Sequence, residues 1–85
     1  MVTIAQFRAA RGLLNWSQPM LARAAGLSLP SVKRLELESH SVSEETRERA
    51  KAALEAAGVA FTNGDEPGVK LRKGQRSDGL AGKSR

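Results

Sequence analysis

The chain has no cysteine, which removes both a disulfide framework and a cysteine-based zinc site as sources of stability. It has one histidine, His40, with no metal-ligating residues at useful spacing around it. A solvated or phosphate-contacting side chain is expected there. No apolar run approaches the length of a membrane span. The first residues, MVTIAQFRAARGLL, form an amphipathic segment interrupted by arginines rather than a signal peptide. A soluble, cytoplasmic protein associated with the nucleoid is expected. Also missing are a glycine-rich phosphate loop, a Ser-His-acid set and paired acids in an apolar setting. No enzyme, metal or cofactor is expected. Eighty-five residues make one small domain with a modest core, and dimerisation is the remaining way to reinforce it.

Acidic residues are missing from one place in particular. Residues 1–35 carry Arg8, Arg11, Arg23, Lys33 and Arg34 and no Asp or Glu. The acids begin at Glu36 and give 36–72 a negative balance, while 73–85 is basic again. The net charge of +5 is therefore distributed so that a polyanion meets an attractive field on one part of the chain. A solvated basic face is the bland alternative.

That acid-free region contains the stretch around which the chain is organised, WSQPMLARAAGLSLPSVKRLE, from Trp16 to Glu36. Ser17 can cap a helix that carries Leu21, Ala22 and Ala25 on one face. Gly26 suits the left-handed position that ends it. Ser28 caps a second helix with Val32 and Leu35 inward. Trp16 and Leu21, and then Leu27 and Val32, sit at hydrophobic-staple positions around the two caps. Pro19 and Pro30 fall in first turns, where a missing N–H breaks no helical bond. Two short helices joined by a glycine turn form the unit that lays its second helix in a DNA major groove. Leu29, Pro30, Lys33 and Glu36 are expected on the outward face of that helix, with Ser31 and Arg34 beside it. Lys33 could donate to guanine O6 and N7, and Leu29 and Pro30 could touch thymine methyls. Arg34 is assigned to a phosphate.

Ahead of this unit, Thr3-Ile4-Ala5-Gln6 fits a capping box. The helix it opens has the apolar stripe Ile4, Phe7, Ala10 and Leu14, with Arg8 and Arg11 free for solvent or phosphate. Asn15 suits a left-handed end. After a polar connection over 37–43, Ser41 or Ser43 caps a fourth helix whose face of small residues includes Thr46, Ala50, Ala53, Leu54 and Ala57. The helices are expected at about 4–14, 18–25, 29–37 and 44–57, making a mainly α domain over 1–58. Val59–Thr62 and Val69–Arg72 then read as strands around a turn-rich link, a β-hairpin over 59–72. A lone hairpin is marginal, so Val59, Phe61, Val69 and Leu71 need cover from the chain's own helices or from a second subunit. Residues 73–85 are expected to be a disordered basic tail.

The segment AQFRAARGLLNWSQPMLARAAGLSLPSVKRLE resembles the Cro- and lambda-repressor-like (Xre-type) helix-turn-helix regulators of bacteria and phages. The ending AALEAAGVAFTNGDEPGVKLRKG is similar to a compact subgroup in which a fourth helix ends in AGV and leads into a strand pair. The resemblance spans about residues 3–73. It implies a four-helix, usually dimeric domain that binds double-stranded DNA and controls transcription, with no cofactor. By position, Ser17 and Gln18 would start the second helix near a phosphate, and Ser28, Leu29, Pro30, Lys33 and Arg34 would begin the recognition helix. The family often has polar residues where Leu29 and Pro30 stand, a glutamate shortly after the position of Gln18, and glycine where this chain has Glu38.

A dimeric repressor on a palindromic operator, dimerising through Val59, Phe61, Val69 and Leu71, is the expectation. Activation through RNA polymerase, a protein-interaction adaptor, antitoxin or antiactivator, and a non-specific nucleoid-coating protein are the alternatives.

Overall fold

A computed structural model describes residues 2–37 and 41–72. His40 and the tail over 73–85 lie outside the described residues. Within them the protein is mainly helical, with helices α1 (Ile4–Leu14), α2 (Gln18–Ala25), α3 (Leu29–Leu35) and α4 (Glu44–Ala56), followed by strands β1 (Val59–Thr62) and β2 (Gly68–Leu71). None of these helices is long and apolar enough to cross a membrane.

Local capping chemistry sets the starts. Thr3, Ser17, Ser28 and Ser43 stand in extended conformations before their helices, and each hydroxyl accepts a hydrogen bond from the backbone N–H three residues on. Thr3 and Gln6 complete the reciprocal box. The ends of α1 and α2 share one solution. Asn15 (φ 61°) and Gly26 (φ 70°) are left-handed, and Trp16 and Leu27 donate back to Arg11 and Ala22, a Schellman ending. A side chain in place of Gly26 would be strained by that φ, although its Cβ would only touch the end of the Arg49 side chain.

Phe7, Ala10, Leu21, Val32, Leu35, Ala50, Leu54 and Val59 make up the centre of the core. The alanine-rich face of α4 buries Ala50 and Leu54 and gets the cover it needs from α2 and β1. The strands are antiparallel, with Val59 opposite Leu71 and Phe61 opposite Val69. These four side chains share one face of the ribbon. Val59 is fully buried, Phe61 and Val69 pack on the core, and Leu71 remains 38% exposed. Phe7 of α1 meets Phe61 edge-on at 6.1 Å between ring centres. The chain's own helices therefore supply the surface that covers most of the hairpin's apolar face.

Gln6 does more than cap α1. Its side-chain amide is buried and donates to the carbonyls of Thr62 and Gly68, both at 2.9 Å, while its oxygen accepts from the Thr3 N–H. One side chain thus joins the start of α1 to the loop end of the two-stranded ladder.

Candidate nucleic-acid interface

The turn between α2 and α3 occupies only Gly26, Leu27 and Ser28. Leu27 packs against the core, and Val32 and Leu35 anchor α3 from beneath. The opposite side of α3 is left to solvent: Pro30, Lys33 and Arg34 are exposed, and Leu29 and Ser31 are half-buried. Most of the residues singled out in the sequence are therefore gathered on or beside one short helix. Ser28 both caps α3 through the Ser31 N–H and donates its own proton to the Ser31 hydroxyl. Ser17 accepts from the Met20 N–H at the start of α2.

The structure corrects two expectations, and both meet at one cluster. Glu36, expected on the outward face with Lys33, is buried at 4% exposure. Arg11, expected to be free, grips it with two hydrogen bonds, Nε to Oε2 at 2.6 Å and Nη2 to Oε1 at 2.8 Å. Its remaining guanidinium nitrogen donates to the Trp16 carbonyl at 2.9 Å. Gln18 starts α2 as expected and turns its amide to Glu36 Oε1 at 3.1 Å. The physical reason is that α3 stops at Leu35, short of 37. Glu36 takes the C-cap position, where the forked guanidinium of Arg11 offers a bidentate partner. One carboxylate therefore ties together α1, the start of α2 and the end of α3.

Burial alone would raise the Glu36 carboxyl, but hydrogen bonds from Arg11 and Gln18, and the charge of Arg11 and then Arg8, outweigh it and hold the group below its usual range. The hydrogen bond from Glu36 likewise raises Arg11 against its own desolvation. The pair is charged and closed on itself. Every buried side-chain nitrogen or oxygen among the described residues has a partner.

Two shallow hollows flank Lys33 and Leu37. One is lined by Arg8, Arg11, Gln18, Lys33, Glu36 and Leu37, and the other by Pro30, Lys33, Arg34 and Leu37. Among the described residues the only acid lining either is Glu36, paired with Arg11. Arg8, Lys33 and Arg34 are exposed around them. Sequence reasoning did not find Leu37, which it placed in a polar connection, nor the Arg11–Glu36–Gln18 cluster. Glu36 did carry a signal, as the first acid after an acid-free run. Among the described residues no group of His, Cys, Asp and Glu could hold a metal ion. No family model and no curated protein matches the chain, so the residues of this surface alone carry the functional conclusion.

Proposed function

We propose that the protein is a sequence-specific regulator of transcription that binds double-stranded DNA as a homodimer, with α2 and α3 as a helix-turn-helix of the lambda-repressor-like kind and α3 entering the major groove. The observation that carries this is the outer side of α3. Lys33 and Arg34 are exposed there with Arg8 nearby, and Glu36, the one acid beside them among the described residues, is withdrawn into an ion pair. Such a surface offers cations to phosphates and a donor to guanine. Blocking of a promoter by a dimer on an inverted repeat is the proposed mode, with half-site centres about 34–36 Å apart or a multiple of that. Val59 is fully buried, so a partner subunit approaching the hairpin would meet Leu71 and the uncovered parts of Phe61 and Val69.

Binding of duplex DNA across a salt series tests this proposal. Lys33→Ala should cost about 1–3 kcal/mol and relax preference at one base-pair position, whereas Arg8→Ala should weaken all sequences evenly and reduce the salt slope by about one. Equal losses on all sequences for Lys33→Ala would remove its assigned role. Affinity that does not change with salt would point to an adaptor that binds protein, because phosphate contacts release counterions.

A further inference from the structure

Leu37 is the most exposed large apolar side chain among the described residues, at 75%, against 44% for Met20, 42% for Leu13 and 38% for Leu71. It is not on a loose segment. Its N–H donates to the Arg34 carbonyl at 3.1 Å, continuing the last turn of α3. It follows Pro30 by seven residues and Lys33 by four, the spacing of one helix face. The hollow lined by Pro30, Lys33, Arg34 and Leu37 shows that the four side chains do share a side. Leu37 also borders the neighbouring hollow with Arg8 and Lys33. An isobutyl group thus stands in solvent between three cations, while the Glu36 carboxylate on the same hollow is occupied by Arg11.

A single exposed leucine ordinarily needs no explanation. This one lies in line with the side chain assigned to base reading and beside cations that suit a polyanion. We infer that Leu37 is a specificity-determining contact of this surface, meeting the 5-methyl group of a thymine in the major groove. This inference rests on the DNA-binding function proposed above. One helical turn separates Leu37 from Lys33, about 5.4 Å, so its thymine lies about one or two base steps from the guanine that Lys33 meets. The outward row is then apolar at both ends, Pro30 and Leu37, and basic between them, and the half-site has a G·C pair with an A·T pair on the Leu37 side. The flanking cations favour DNA over a protein as the occupant.

The test uses the full chain and its Leu37→Ala variant, which leaves the buried contacts of the fold untouched. Both are titrated with a duplex enriched by the wild-type chain from random DNA, and with copies in which deoxyuridine replaces each thymine in turn. Removing the methyl group at one position of the half-site should weaken wild-type binding about fourfold, the factor for one buried methyl-sized group. Leu37→Ala should lose that sensitivity and keep its preference at the guanine. A variant as sensitive as the wild type at every thymine overturns the inference while leaving the DNA-binding function standing. A variant with unchanged DNA binding but impaired capture of a protein partner overturns it in favour of a protein contact. If the wild-type chain enriches no sequence, the DNA-binding function itself fails, and the inference with it.

Discussion

A buried carboxylate and its guanidinium hold each other in place, and removing one strands the other. Arg11→Met should therefore destabilise the fold by about 3 kcal/mol, the low end for breaking a buried pair, because the Arg11 side chain keeps 20% of its surface in solvent. Its effect on DNA binding should follow from unfolding rather than from a lost phosphate contact. The same pair gives stability a pH dependence. The Glu36 carboxyl is lowered in the folded state, so the pair contributes fully above the ordinary carboxylate value of the unfolded chain. That contribution is lost as pH falls through that value and on through the lowered folded one. Comparing urea midpoints of wild type and Glu36→Gln removes the part due to other carboxylates. The gap between them should close on acidification, and a gap that stays constant down to the acid limit of folding would contradict the assignment.

Helix starts, and the ends of α1 and α2, were legible because each is decided within a few residues. Thr3, Ser17, Ser28 and Ser43 as caps, and Asn15 and Gly26 as left-handed ends, are local chemistry. Pairings across the fold were not legible. Arg11 and Glu36 are 25 residues apart, and the Gln6 amide reaches carbonyls 56 and 62 residues away. No spacing rule connects such residues, and the i, i+3 pattern that placed Glu36 beside Lys33 carries no sign that Arg11 draws its carboxylate out of solvent. The candidate surface was accordingly readable on α3 itself and unreadable just past its end, at Leu37. The tie between α1 and the hairpin can be tested as an element. Gln6→Met keeps the volume and removes the donor, leaving the Thr62 and Gly68 carbonyls without its bonds. It should cost about 1–3 kcal/mol. Amide exchange should accelerate first over 59–71, while the amides of α2 and α4 keep their order of protection. Uniform acceleration throughout would show that the amide is not a specific tie to the hairpin.

For the whole molecule, the fold and the charge distribution work together. Four helices and a hairpin enclose a small core, and the hairpin's apolar face is largely covered from within. The acid-free first part of the chain presents Arg8, Lys33 and Arg34 to solvent, while most acids follow on or beyond α4, where Glu44, Glu45 and Glu55 pair with Arg47, Arg49 and Lys51 of their own helix. Those exposed pairs add little stability, but they keep acidic charge on a different helix from the basic side of α3. The central claim is that this basic side reads DNA sequence in a two-fold-related pair. It is tested most directly by selecting binding sites for the full chain from random duplex DNA at near-physiological salt and sequencing what is retained. The account predicts an enriched inverted repeat whose half-sites contain a G·C pair that loses its preference in Lys33→Ala. DNA retained at low salt with no enriched sequence, or no DNA retained at all, would contradict it.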